Sequence, residues 1–313
     1  MMRLGNEQLQ TIVQQAYGDQ AIRELQMLNE QHYTLELANG ERFAVLLFDT
    51  AQQAESCAQA LRMLRGEFDL PIPQLRASET SGTLIGQPYV LVDALRGQPL
   101  SQVAATLSEE QRYQIGQQLG SSLQRVHRLA CDRYGDLLNP EQQANSEYEY
   151  GIQRLERELA QGHQLGTIAA LEAQQLRAWF EQQFRPLGKQ AALVCGGISA
   201  DTIWVSQQQG AWRLSGLLGW QQAIAWSPAW EHSTVLDSLR QAEYFSLRVG
   251  YGNAYDEQTA RTYEQVRERA LVPYRILLAL GAMNKAAQQG DTALVDHERK
   301  LVRSLIDAPS HSS

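Results

Sequence analysis

Residues 6–17, "NEQLQTIVQQAY", set Leu9, Ile12 and Val13 three and four positions apart among polar neighbours, which predicts a helix with one apolar face. The period then shortens toward two. Extended runs near 22–28, 32–37 and 42–48 follow, the last two joined by the turn "ANG", and together they predict an antiparallel meander. Ala54, Cys57, Ala58, Leu61 and Leu64 restore helical spacing up to Gly66. After it, "LPIPQL" (70–75) and "QPYVLVDAL" (87–95) read as two more strands, the second apolar enough to be central.

Beyond "RGQPLS" the pattern turns helical. Ser108 caps a helix on which Ile115, Leu119, Leu123 and Val126 share a face, and residues 146–188 predict two further helices. "ALVCGGISADTIWVSQQQGAWRLSGLLGW", from Ala192, is the only β island predicted in this half, with Gln-Gln-Gly turns; helices then fill 232–307. No internal repeat or long linker interrupts the chain. The pattern predicts a bilobal α+β protein: a β-rich lobe over 1–95, a helical lobe over 96–313, and a hinge near 92–97.

Composition narrows the class. The chain has 313 residues, enough for two lobes, and 43% hydrophobic with 20% charged residues is ordinary for a soluble globular protein. A net charge of −8 without a basic stripe argues against a nucleic-acid partner. No apolar run approaches the roughly 20 residues that span a bilayer, and the N-terminus lacks the apolar stretch of a signal peptide. Cys57, Cys131 and Cys195 are too few and too scattered for a disulfide framework or a zinc site, so a reducing cytoplasm is expected.

The order of segments resembles the protein-kinase-like fold, and in detail the aminoglycoside phosphotransferase and choline kinase family, over nearly the whole chain. "LGSSLQRVHRLACDRYGDL" is similar to that family's helix ending in Leu-His before a Tyr/Phe-Gly turn. "PYVLVDALRGQPLS" resembles its hinge, "AWSPAWEHS" its Gly-Asp-Pro-Ala-x-Glu segment, and "FSLRVGYGNAYDEQTARTY" its late helix and Gly-Tyr-Gly turn. The resemblance implies a five-stranded antiparallel N-lobe with one lateral helix and a mainly helical C-lobe, which contains a catalytic loop at 193–205 and a metal loop at 214–223.

Within that resemblance the chemistry is missing. The family's catalytic loop reads approximately His-Gly-Asp-Leu-His-Pro-Gly-Asn-Ile-Leu-Val; here it is Cys195, Gly196, Gly197, Ile198, Ser199, Ala200, Asp201, Thr202, Ile203, Trp204, Val205. The catalytic Asp falls on Gly197 and the metal-binding Asn on Thr202. The Asp of the family's Ile-Asp-Trp, which holds magnesium, falls on Gly219 between Leu218 and Trp220. The lysine or arginine that grips phosphates falls on Leu46, or on Leu47 one residue along. Phosphoryl transfer is almost wholly positioning and charge neutralisation, and Mg²⁺ needs hard oxygen ligands. These positions supply neither. Scaffold positions Gly196, Ile203, Val205, Trp220, Pro228 and Glu231 meanwhile match.

The resemblance therefore implies a pseudokinase that binds a small molecule or a protein partner, with no cofactor expected. Its degenerate nucleotide cleft would comprise Leu46, Val92, Asp93, Ala94 and Leu95. The alternative is an atypical ATP- and magnesium-dependent phosphotransferase acting on a hydroxyl group, with Asp201 as substitute base, helped by Asp93. Asp201 also reads as a solvated loop acid. Tyr148, Tyr150, Trp226, Trp230 and Glu231 belong to segments that line the acceptor cleft in the family; the aromatics read equally as helix packing or as a face for a sugar or cation. Glu55, or Cys57 in its place, sits where a partner for the strand lysine would, and reads as an exposed helix charge. Cys195 with His127 spells a nucleophile and base, or a core thiol and a structural histidine.

Overall fold

The computed structural model describes residues 4–66, 69–187, 190–240, 242–255 and 270–307. Helix α1 (Asn6–Tyr17) packs Leu9, Ile12 and Val13 into a small core with the first sheet. In chain order that sheet receives β1 (Ile22–Asn29), β2 (His32–Leu37) and β3 (Arg42–Leu47). Helix α2 (Ala51–Met63) follows, its N-terminus held by the Thr50 hydroxyl accepting from the Gln53 amide. Strands β4 (Leu75–Glu79) and β5 (Tyr89–Asp93) complete an antiparallel sheet in the order β1-β2-β3-β5-β4. The strand predicted over 70–75 instead starts at Leu75. Pro71 and Pro73 have no N–H for a ladder, so that stretch is an irregular link whose Leu70 and Ile72 still reach the core.

The hinge leads into β6 (Gln98–Pro99), α3 (Leu100–Val103) and α4 (Glu109–Val126). A capping box closes the start of α4: the Ser108 hydroxyl accepts from the Gln111 amide, and the Gln111 side chain accepts from the Ser108 amide. Next come β7 (Ala130–Cys131), β8 (Tyr134–Asp136), β9 (Gln143–Ala144), α5 (Glu147–Gln164) and α6 (Ala170–Gln183). Strands β10 (Ala191–Val194), β11 (Ile203–Gln208), β12 (Ala211–Leu217) and β13 (Ile224–Trp226) precede helices α7 (Pro228–Ser238), α8 (Phe245–Ala254), α9 (Val272–Gln289) and α10 (Thr292–Asp307).

The single β island predicted for this half is two sheets. Strands β11 and β12 form a hairpin edged by β6, whereas β10 joins a five-stranded sheet in the order β7-β10-β13-β8-β9. The late helices begin at Pro228 rather than 232, and the part of the prediction over 256–269 lies outside the described residues. The result is a bilobal α+β protein: a small antiparallel lobe with its helix, and a larger helical lobe carrying short sheets. One core spans both lobes, joining Ala54, Cys57 and Leu61 of α2 to Leu193, Ile203 and Trp220. A second core lies under the aromatic residues of the helical lobe. Among the described residues no helix is long and apolar enough to cross a membrane.

Candidate functional site

The loop between β10 and β11 is fixed from below by one buried carboxylate. Strand β10 delivers the chain at Cys195, and helix α7 presents Glu231, which has no exposed surface. Its Oε2 accepts from the Cys195 amide at 2.5 Å and its Oε1 from the Gly196 amide at 3.1 Å. Hydrogen bonds to a charged acceptor are strong, so this pair defines the loop's entry. His127, at the end of α4, brings Nε2 within 3.7 Å of Glu231 Oε2 and pairs Nδ1 with the Tyr255 hydroxyl at 2.5 Å. Cys195 is wholly buried, and its Sγ lies 3.5 Å from the Leu218 carbonyl. Burial, reinforced by the Glu231 charge, pushes its thiol well above the ordinary range, so thiolate chemistry is disfavoured there.

Above that clamp, Gly197 and Gly219 lie backbone against backbone. A Cβ on Gly197 would stand 2.4 Å from the Gly219 carbonyl oxygen, and one on Gly219 would stand 2.4 Å from the Gly197 carbonyl oxygen. Gly219 also has φ of +98°, a conformation that side chains rarely adopt. Thr202 is turned into the loop: its hydroxyl accepts from the Ser199 amide at 2.8 Å and lies 2.9 Å from the Gly197 carbonyl. Asp201 is exposed at the rim, where its carboxylate accepts a hydrogen bond from Ser101 at 2.5 Å. Gly197, Thr202 and Gly219 thus come together in space. At both glycines a side chain would meet backbone.

The lobes also meet directly beside this loop. His32 pairs with Leu46 across β2 and β3. Its ring lies 5.3 Å, centroid to centroid, from that of Trp204 on β11. Burial alone lowers the His32 imidazole to about 4, so it is neutral at pH 7. At the hinge, Leu95 rests on Gly216, where a Cβ would come within 2.4 Å of it. A cavity of about 350 Å³ remains between the lobes, reached by His32, Leu46, Cys57, Asp201, Thr202 and Gly219, and by Lys285 from α9. None of residues 92–97 lines it. Val92 is buried in the core, while Asp93, Ala94 and Leu95 line a different cavity, with Asp93 paired to Arg76 at 2.5 Å. Of the five residues expected to form one nucleotide cleft, Leu46 alone lines the inner cavity. Glu55 points outward and accepts from the Thr80 hydroxyl. Cys57 faces the inner cavity, its thiol pushed up to about 12 by burial.

The aromatic residues of the second core cluster around a cation from the chain itself. Tyr150, Trp226 and Trp230 are buried, with ring centroids 4.8 Å apart for Tyr150 and Trp226 and 4.6 Å for the two indoles. The Arg154 guanidinium sits over Trp230 at 4.5 Å and over Trp226 at 5.6 Å. Tyr148 is set apart, 39% exposed and stacked on Phe184. Arg154, His32 and Ser101 escaped the sequence reading, which named Trp204 only as a loop position. Only Arg154 left a local signal, standing four residues after Tyr150 on one helix face.

No curated protein sequence matches the chain. Among solved structures it is similar to a thermostable mutant of the aminoglycoside phosphotransferase APH(4)-Ia in a ternary complex with ADP and hygromycin B, at 10% identity and a TM-score of 0.68, covering 97% of this chain and 99% of that one. It is similar, too, to the gentamicin complex of APH(2")-IIa, at 12% identity and a TM-score of 0.67, covering 99% and 98%. At these identities the likeness establishes the fold. The model of the phosphotransferase enzyme family matches residues 27–269, well over half of the sequence, and the chain belongs to that family.

Proposed function

We propose that this protein is a pseudokinase, a phosphotransferase scaffold retained for binding rather than for phosphoryl transfer. The observation that carries this reading is the contact of Gly197 with Gly219, the two positions that the sequence resemblance aligns with a catalytic carboxylate and a magnesium ligand. The groups around the remaining cavity also offer a triphosphate little charge neutralisation. Leu46 carries no charge, and among the described residues Lys285 is the one cationic side chain in the lining, beside a neutral His32. The Thr202 hydroxyl is occupied within its own loop.

The solved relatives hold ADP with hygromycin B, or gentamicin. Carried over to this chain, a cationic acceptor would meet indoles already faced by Arg154. The aromatic region thus holds one of the chain's own cations where a cationic acceptor would stack, which supports a ligand of different chemistry. The test is thermal unfolding with ATP, with and without Mg²⁺, together with a phosphotransfer assay on hydroxylated acceptors. We expect no turnover and no nucleotide-dependent stabilisation, whereas a bound ligand at 100 times its Kd would add about 2.7 kcal/mol. ATP turnover abolished by Asp201→Ala would overturn the reading in favour of a phosphotransferase using that residue.

A further inference from the structure

A second, larger cavity lies against the hinge residues 93–96, not between Gly197 and the N-lobe sheet. It measures about 1070 Å³ and shares only Pro73 with the inner cavity. Its walls come from the 69–73 link, the hinge, α4 and the β11–β12 hairpin, so both lobes contribute. Those walls are tied together. The Leu217 amide donates to the Pro71 carbonyl at 2.7 Å, and the Leu214 amide to the Gln118 side chain at 2.9 Å. Such a site is preformed, which lowers the cost of ordering it around a ligand.

The lining chemistry is specific. Gln114, Gln117, Gln208, Ser121 and Ser215 line it; the glutamine amides and Ser215 spend a donor within the protein, which leaves their oxygens and the Ser121 hydroxyl for a ligand rich in hydroxyls. Two acids also line the cavity, and each has an arginine partner: Asp93 pairs with Arg76 at 2.5 Å, and Asp69 with Arg125 at 3.8 Å. Arg96 and Arg213 line it as well, and neither has an ion pair among the described residues. A chain of net charge −8 thus places two guanidiniums without ion-pair partners in this cavity. Guanidinium forks suit carboxylate and phosphate oxygens.

From this arrangement we infer that the cavity against the hinge is a binding site for a small, hydroxyl-rich anion, a phosphorylated or carboxylated polyol held by Arg96 and Arg213. The inference goes beyond the proposed function and does not depend on the inner cavity being inert. Because the site touches both lobes, its ligand would fix the hinge.

Isothermal titration with glucose 6-phosphate and with gluconate, using glucose as the neutral control, tests the site. We expect saturable binding of at least one anion, none of glucose, and weakening as salt screens the attraction. The double variant Arg96→Ala/Arg213→Ala should retain its circular dichroism and unliganded Tm, since both side chains are exposed, and bind at least tenfold more weakly. Absence of saturable binding of either anion, or binding unchanged in the double variant, overturns the assignment. The second result also exposes general stabilisation by excluded anions, which needs no site.

Discussion

At Gly219 two constraints coincide: φ of +98° and a carbonyl oxygen 2.4 Å from where a Cβ would be. Gly219→Asp should therefore lower unfolding stability by about 2–4 kcal/mol, combining backbone strain with a buried clash. Gly197→Asp meets the clash alone and should cost about 2 kcal/mol. Neither variant should acquire phosphotransfer activity. Urea unfolding checks the first expectation, and a coupled ADP-release assay the second. His32 supplies a pH signature. Its folded imidazole titrates near 4 against 6.5 for the free group, so between those values the unfolded chain binds more protons. The stabilisation is complete above pH 6.5 and is lost as pH falls toward 4, by up to about 3 kcal/mol. His32→Phe should flatten that part of the stability–pH curve, and an unchanged slope would remove His32 as its source.

Among the elements, α4 and α8 cross unusually closely. A Cβ on Gly116 would lie 2.0 Å from the Leu247 carbonyl oxygen, and one on Gly250 2.0 Å from that of Tyr113. Either Gly116→Ala or Gly250→Ala should push the helices apart and reduce stability by about 3 kcal/mol, measured in denaturant. The two losses should not add, because one separation relieves both contacts. Helices such as α1 and α4 were legible in the sequence because each buries a stripe at helical spacing, and α4 also announces its cap at Ser108. The two- and three-residue strands β7, β8, β9 and β13 were not legible. Pieces that short carry no alternation, and their partners are remote in sequence. In the candidate site, the glycines at 197 and 219 could be read directly from residue identity. The mutual contact of the two glycines, and the meeting of His32 with Trp204, depend on tertiary placement over separations that no local pattern encodes.

Across the molecule, the core that runs from α2 through Trp220 into α4 joins the lobes by apolar contact alongside the inner cavity. Trp220 is 1% exposed and its indole donates to the Leu217 carbonyl at 2.9 Å. Separating the lobes would expose that surface, so unfolding should be a single cooperative transition, with calorimetric and van't Hoff enthalpies in agreement. Two resolved transitions would show that the lobes are energetically independent. The paired glycines have a further consequence, in the substitutions open to such a sequence. A side chain introduced at either position meets the other's carbonyl oxygen, so a larger residue is admitted only if the two backbones separate. Each single substitution there leads through a less stable protein. The contact acts as a latch on the sequence: both positions stay glycine unless both strands of backbone move together.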